Sequence, residues 1–168
     1  MKISALLYSP ELDLLVVKGI QQHGLGDNLS NWEHLHMSLS MVLQLGLSGQ
    51  PLSGPDIGGF AGNATPKLFG RWMGVGAMFP FCRGHSEKRT NDHEPWSFGE
   101  ECEEVCRLAL KRRYRLLLHI YTLFYLAHTT GTLVATPTFF ADPKDPGLRT
   151  TERLLPAGSS SCLFKHHC

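Results

Sequence analysis

Five residues whose side chains can exchange protons, form hydrogen bonds or offer an aromatic face occur in three short, glycine-containing motifs of this sequence. Asp27 lies in GDN, and Asp56 lies in SGPDIGGF. Glycosidases use two carboxylates that flank the scissile bond, one of them as a general acid. Phe60 could offer a ring face to a sugar, while Arg83 and His85 of RGH could donate hydrogen bonds to its hydroxyls. Two carboxylates, an Arg, a His and an aromatic ring therefore favour carbohydrate chemistry.

Each motif also has a structural interpretation that needs no ligand. Asp27 followed by Asn is typical of a turn, and Asp56 can accept hydrogen bonds within a glycine-rich turn whose Phe60 belongs to the core. Arg83 and His85 can satisfy backbone carbonyls at the end of a strand. The glycine pattern is not GxGxxG and contains no Lys, so it does not indicate phosphate binding. From the residues alone, the catalytic and the structural interpretations both remain open.

Other reactive residues give little support for a metal or a cofactor. His34 and His36 are two residues apart on a predicted helix, which places them on different faces. Cys102 and Cys106 are four residues apart and are predicted to be buried in the core. Residues 92–94, with the sequence Asp-His-Glu, are predicted to form a solvated loop. The sequence contains no GxSxG motif and no Walker loop, so neither a metal nor a cofactor is expected.

Capping signals predict where the first two helices begin. Ser30 followed by Glu33 forms a capping box, and apolar residues then recur at helical spacing as far as Gly46, which stands at the position of a C-terminal cap. Thr65 followed by Pro66 predicts an N-cap and a first-turn proline. Both helices are therefore expected to begin shortly after one of the candidate carboxylates.

A third and longest helix is predicted from a second capping box, Ser97 and Glu100, and is expected to end near His128 and Gly131. Acidic residues crowd its first turns and basic residues its middle, an order that complements the helix dipole. The basic residues are predicted to form a solvated face: Lys111, Arg112, Arg113 and Arg115.

Three runs with strand character separate or follow these helices. They are LGLSGQPLSG (45–54), AMFPFC (77–82) and LVATPTFFA (133–141). Strands that alternate with helices indicate an α/β fold with parallel strands. In a (β/α) barrel the strand-to-helix junctions lie at the carboxyl face, where active sites occur. The candidate residues stand at those junctions, so the sequence predicts a site there.

Length and composition are consistent with one globular domain. The 168 residues are 42% hydrophobic and 18% charged, which is enough for a core and too little charge for a disordered chain. A net charge of +1 gives no basic surface for nucleic acid. Five cysteines, an odd number, argue against a secreted disulfide scaffold. Since no convincing signal peptide is present, a cytoplasmic location is expected.

An uncharged stretch, residues 116–141, exceeds the roughly 20 residues that can span a bilayer. It is interrupted by His119, His128, a TTGT cluster and Pro137. A buried helix running into a buried strand is therefore predicted, and no membrane partner is expected. A membrane-anchored protein stays the alternative that extraction with carbonate would test.

The order of the motifs GDN, GPDIGGF, RW, PF-x-RGH and EPW resembles glycoside hydrolase family 31, and within it the plant neutral α-glucosidases of the heteroglycan glucosidase type. The resemblance covers residues 25–149. It implies the C-terminal part of a (β/α)8 TIM barrel at 25–131 and the start of a β-sandwich domain at 132–149. Residues 1–24 and 150–168 are divergent and are expected to be poorly packed ends.

The resemblance also implies an activity and residue roles. It implies retaining hydrolysis of terminal α-linked glucose in oligo- or heteroglycans, with an α-glucoside or α-glucan as substrate. Asp27 matches the general acid/base of the family. The other four residues match groups around the glucose subsite: Asp56 and Phe60 line it, and Arg83 and His85 hydrogen-bond the sugar and the region of the catalytic carboxylates.

The sequence departs from the family in ways that bear on catalysis. The nucleophile of the family is an Asp in a W-x-D-M-type motif, and no such motif occurs here; an upstream glucose-binding Asp and the Arg that precedes the acid/base are also missing. Gly24 stands where relatives carry Trp, and Leu118 where Pro is common. A full barrel takes about 250 residues. The chain is therefore expected to be a truncated part of the domain that is marginally folded and close to inactive alone. The alternative is a non-catalytic remnant that binds carbohydrate or associates with a full-length relative.

Overall fold

The computed structural model describes residues 23–140, 142–149 and 154–156. The helices and strands, in chain order, are β1 (His23–Gly24), α1 (Trp32–Leu47), β2 (Ser53–Gly54), α2 (Pro66–Gly76), α3 (Glu100–Thr130), β3 (Ala135–Pro137), α4 (Pro146–Arg149) and β4 (Leu154–Pro156). Two 3₁₀ helices span Pro95–Phe98 and Thr138–Phe140. The segments predicted to be divergent, 1–24 and 150–168, lie outside the described residues except at 23–24 and 154–156.

Parallel pairing organises the region that contains the candidate residues. β1 runs parallel to β2, with His23 opposite Ser53 and Gly24 opposite Gly54. A third segment, 81–83, runs beside β2: the Phe81 N–H donates to the Ser53 carbonyl at 3.1 Å, and an isolated parallel bridge follows further along. The predicted strand–helix alternation with parallel pairing is therefore confirmed here, whereas β3 pairs with β4 in antiparallel register.

The predicted strands are shorter than expected. Of LGLSGQPLSG only Ser53–Gly54 is a strand, because its first three residues complete α1. AMFPFC forms no regular strand, and LVATPTFFA contributes only Ala135–Pro137 before a 3₁₀ turn. Pro51 and Pro80 lack the N–H that a continuous ladder requires. The strand predictions were therefore right in position and wrong in length.

Helix α1 begins one residue later than its predicted capping box. The N-cap is Asn31, whose side-chain oxygen accepts from the backbone N–H three residues on at 2.8 Å. Ser30 instead donates its hydroxyl hydrogen to the Gly62 carbonyl at 2.9 Å. The helix continues past Gly46 to Leu47. The predicted Ser30 and Gly46 caps are wrong, since Ser30 is engaged by a loop far away in the sequence.

Caps of the next two helices match the predictions in part. Thr65 caps α2 with its side-chain oxygen, as predicted. Helix α3 begins after Gly99, which has no side chain to cap it. Ser97 cannot be the N-cap because it lies inside the preceding 3₁₀ helix. The predicted capping box of Ser97 and Glu100 is therefore wrong. The helix ends at Gly131, which adopts the left-handed conformation with φ +72°, as predicted.

The largest core cluster lies between α2 and α3. Phe69 and Trp72 of α2 are fully buried. From α3, Cys102 and Cys106 are 6% and 0% exposed, so their predicted core position is confirmed. Phe98 stacks on Phe69 with ring centroids 4.2 Å apart. The cluster also includes Ile57 of the segment that follows β2 and Leu35 of α1.

Arg113 is an exception to the predicted solvated face of α3. Arg113 is 5% exposed, whereas the other basic residues of the run are exposed. The guanidinium donates to the carbonyls of Ala77 (3.0 Å), Phe79 (2.6 Å) and Pro80 (3.0 Å). Among the described residues no strand pairs with these carbonyls of residues 77–80, so the arginine satisfies them. The prediction for this residue was wrong.

The second half of α3 is only half-buried, in contrast to the buried helix predicted for 116–141. Ile120, Leu123 and Phe124 pack inward, while Leu118 is 85% and Tyr125 63% exposed. Among the helices that the structure describes, none is both long enough and apolar enough to cross a bilayer.

Candidate active site

Three loops meet where the parallel segments end. We name them the Asp27 loop (residues 25–31), the Asp56 loop (residues 54–62) and the Arg83 loop (residues 81–85). The Asp27 loop follows β1, and the Asp56 loop follows β2. The Arg83 loop includes the segment that runs beside β2. Isolated parallel bridges link Leu29 to Ala61 and Asp56 to Arg83. The carboxyl ends of parallel strands share one edge, so the loops form one surface.

An ion pair between Asp56 and Arg83 joins two of the loops. The Arg83 Nε donates to Asp56 Oδ1 at 2.8 Å, and its terminal Nη2 lies 2.6 Å from the same oxygen. The Asp56 side chain is 6% exposed and that of Arg83 39% exposed. The Ile57 N–H also donates to the Arg83 carbonyl at 2.9 Å. The pair therefore holds the guanidinium at the surface, and the N–H groups of Arg83 that do not face Asp56 are not used by this carboxylate.

Phe60 and His85 form a second contact between the same two loops. Their ring centroids are 5.4 Å apart with the planes inclined by 34°. Phe60 is half-buried and His85 is exposed, so neither ring belongs to the core. The Glu87 N–H donates to the Phe60 carbonyl at 2.8 Å. An aromatic face and an imidazole are thus presented side by side at the edge of the site.

Asp27 is exposed on the third loop. A small cavity of about 90 Å³ lies beside it, between the loop and the first turns of α1. The Leu29 N–H donates to His34 Nδ1 at 3.2 Å, which ties the loop to α1. An exposed carboxylate at this position can exchange protons with a bound molecule or with water.

The family is decided by a comparison of sequences. Residues 16–123 match the model of the glycosyl hydrolases family 31 TIM-barrel domain. The chain belongs to glycosyl hydrolase family 31. The resemblance that the motif order predicts is confirmed, and the fold is a part of the family 31 TIM barrel.

Curated glucosidases match over most of this chain. A probable glucan 1,3-alpha-glucosidase of Arabidopsis thaliana is 44% identical over 151 residues, which are 88% of this chain and 16% of that protein. Alpha-glucosidase 2 of Bacillus thermoamyloliquefaciens is 48% identical over 130 residues, 76% of this chain and 16% of that protein. The chain therefore spans 16% of the length of these curated relatives.

Solved family 31 structures share the fold. The family 31 alpha-glucosidase from Bacteroides thetaiotaomicron superposes with a TM-score of 0.75 at 54% identity, covering 79% of this chain and 23% of that one. A DNJ-bound glucosidase II alpha subunit gives a TM-score of 0.76 at 36% identity, covering 80% of this chain and 15% of that one.

The loop predicted at residues 92–94 is confirmed, but the prediction that His93 is solvated is wrong. It is 7% exposed and lies below the Asp56 loop. Its ring packs edge-on against Phe69 with centroids 5.9 Å apart. A Cβ at Gly58 would come within 3.2 Å of its Nδ1 and 2.6 Å of the Phe69 ring, so the loop needs glycine there. The Asp56 loop therefore rests on a buried imidazole.

Burial lowers the pKa of His93, while the nearby Ile57 backbone and the carboxylates of Glu94 and Asp56 raise it to a smaller extent. Among the described residues, neither ring nitrogen has a hydrogen-bond partner of normal geometry. The fold therefore favours the neutral imidazole. A histidine with a lowered pKa stabilises the folded state above its ordinary pKa of 6.5, and this contribution is lost as the pH falls below that value.

We expect His93→Phe to reduce the loss of stability on acidification. The free energy of unfolding, measured with urea at pH 7.5 and pH 5.5, should fall less for the variant than for the wild type. His128→Gln, at an exposed position near the end of α3, is the matched control and should behave as the wild type. Equal pH slopes for the wild type and His93→Phe would contradict a buried neutral imidazole.

Proposed function

We propose that this chain supplies the acid/base and glucose-binding part of a retaining α-glucosidase that acts on terminal α-linked glucose of oligo- or heteroglycans. The supporting observation is the convergence of Asp27, the Asp56–Arg83 ion pair and the Phe60–His85 ring pair on one edge of parallel segments. The names of the relatives, glucan 1,3-alpha-glucosidase and alpha-glucosidase, agree with this substrate class.

The proposed roles follow from the chemistry of each group. Asp27, exposed at the rim, protonates the leaving glycosidic oxygen and then takes a proton from the attacking water. Arg83 has five N–H donors and uses two toward Asp56, so the others can donate to glucose hydroxyls. Phe60 packs against the C–H face of the sugar, and His85 hydrogen-bonds a hydroxyl beside it.

A retaining mechanism needs a second carboxylate about 5–5.5 Å from the acid/base to act as nucleophile. Asp56 is poorly suited because its side chain is 6% exposed and its Oδ1 is held by Arg83. The W-x-D-M-type motif of the family is absent from this sequence. We therefore expect this chain to bind a glucose-like ligand without turning over α-glucosides, which is also the behaviour of a non-catalytic remnant that binds carbohydrate.

The test compares the wild type with Asp27→Asn, and with Asp92→Asn as an exposed-carboxylate control. Binding of 1-deoxynojirimycin is measured by ¹⁵N chemical-shift titration, and turnover with a chromogenic α-glucoside. We expect wild-type binding, weakened by Asp27→Asn and unaffected by Asp92→Asn. Turnover that disappears only in Asp27→Asn would show that the chain has its own nucleophile. If the wild type neither binds nor hydrolyses, the proposal fails.

We further propose that β3 and β4 belong to the start of the β-sandwich domain that follows the barrel. Support comes from the change of pairing direction: β1 and β2 are parallel, whereas Ala135–Pro137 pairs antiparallel with Leu154–Pro156 after the long helix. Antiparallel pairs are the building unit of sandwiches.

A further inference from the structure

Asn28 stands next to the proposed acid/base and is 6% exposed, although its neighbours Asp27 and Leu29 are both exposed. A polar side chain buried at the rim of a site needs hydrogen-bond partners. All the partners found for this one belong to the Asp56 loop. The side chain therefore points from the Asp27 loop into its neighbour.

The carboxamide of Asn28 uses both its donor and its acceptor on that loop. Its Nδ2 donates to the Asp56 carbonyl at 2.9 Å, and its Oδ1 accepts from the Phe60 N–H at 3.2 Å. The Asn28 backbone carbonyl accepts from the N–H groups of Phe60 (2.7 Å) and Ala61 (3.1 Å). An aspartate could accept but could not donate, so the pattern requires an amide.

The Asp56 loop depends on such external bonds for its position. Between Asp56 and Phe60 it contains Gly58 and Gly59, both with positive φ (+88° and +94°). Glycines supply no side chain to restrict the backbone. The hydrogen bonds of Asn28 fall on both sides of this glycine pair, at the two residues assigned to the glucose subsite.

We propose that Asn28 is a positioning residue that fixes the glucose subsite of the Asp56 loop relative to Asp27. This inference rests on the proposed function for the roles of Asp27, Asp56 and Phe60. In this role Asn28 acts through the backbone of the neighbouring loop, since both partners of its carboxamide are backbone groups there. A displacement of about 1 Å between a catalytic group and its substrate can cost about 100-fold in rate, so this bridge bears directly on catalytic geometry.

The experiment compares three variants of the ¹⁵N-labelled chain. Asn28→Ala removes donor and acceptor, whereas Asn28→Asp keeps the shape and the acceptor and loses the donor. The matched control is Asn63→Ala, since Asn63 is exposed and its Oδ1 accepts from the Asn91 N–H at 2.8 Å. Residual dipolar couplings of the Asp27 and Phe60 amides report the relative orientation of the loops, and the affinity for 1-deoxynojirimycin reports the consequence.

We expect Asn28→Ala to change the couplings of Phe60 relative to Asp27 and to weaken 1-deoxynojirimycin binding by about 10-fold or more. Asn28→Asp places a carboxylate oxygen against the Asp56 carbonyl, so it should change the same couplings and weaken binding as well, and it serves as the test if the alanine variant does not fold. Asn63→Ala should leave both readouts unchanged. A merely structural role would lower the melting temperature without altering the couplings or the affinity of the folded chain, and that result would overturn the proposal.

The two proposals fail in distinguishable ways. If the wild type does not bind the ligand but Asn28→Ala still reorients Phe60, the proposed function fails, and with it the link to a glucose subsite, while the role of Asn28 in orienting the two loops stands. If the wild type binds and neither Asn28 variant changes the couplings or the affinity, the positioning role fails alone.

Discussion

Replacing Gly54 with alanine is expected to separate β2 from segment 81–83 and to destabilise the chain by about 3 kcal/mol or more, at the upper end of overpacking effects. A Cβ at this position would lie 2.0 Å from the Phe81 carbonyl oxygen and 2.9 Å from its carbon. Both are backbone atoms, so no side-chain rotation can relieve the collision. The measurement is the free energy of unfolding from urea titration.

The same substitution should also disturb the candidate site. Asp56 follows β2 and Arg83 is the last residue of segment 81–83, the two segments that Gly54→Ala pushes apart, so the Arg83 Nε–H resonance should lose the shift that its bond to Asp56 causes. Gly74→Ala is the control, because a Cβ there meets nothing within 4 Å; it should stabilise the chain by about 0.4–1 kcal/mol. A Gly54→Ala variant as stable as the wild type would contradict the close approach of the two segments.

Arg113→Leu is expected to cause the second large loss of stability. It removes the donors for the carbonyls of Ala77, Phe79 and Pro80, and each buried acceptor left without a donor costs about 1–3 kcal/mol. The total should therefore reach several kcal/mol. The free energy of unfolding, measured as above, gives the result directly.

The neighbouring Arg112 offers a matched control on the same helix. Its side chain is exposed, so Arg112→Leu should change the stability by no more than about 0.5 kcal/mol. Arg113→Lys keeps the charge but not the forked set of donors, and should lie between the two. Similar losses for Arg112→Leu and Arg113→Leu would show that the buried arginine does not organise residues 77–80.

Helix caps show how far local sequence patterns predict this fold. The caps at Thr65 and Gly131 were predicted correctly because their partners lie within one helical turn. Ser30 was assigned as a cap wrongly, because its hydroxyl bonds to Gly62, 32 residues away. A capping rule considers only hydrogen bonds to nearby backbone groups, so it cannot anticipate that a serine hydroxyl bonds to a carbonyl far away in the sequence.

Burial of polar residues was predicted least well, for a related reason. Arg113 and His93 were both expected to be solvated, and both are at least nine-tenths buried. The burial of Arg113 follows from carbonyls more than thirty residues away that have no strand partner. The burial of His93 follows from the packing of Phe69 and the Asp56 loop above it. Neither environment is visible in the neighbouring sequence.

The sequence by itself determined the family, through the order of its motifs, and the chemical types available to the site, since the residue type fixes which groups can donate or accept hydrogen bonds and protons. Only the tertiary structure decided how these groups are used. In the folded chain Asp56 pairs with Arg83, 27 residues away, and Asn28 accepts a hydrogen bond from the Phe60 N–H, 32 residues away. The physical reason is that parallel segments bring their carboxyl ends to one edge only after the intervening helices have packed, so these contacts are a property of the assembled layers and not of any local run of residues.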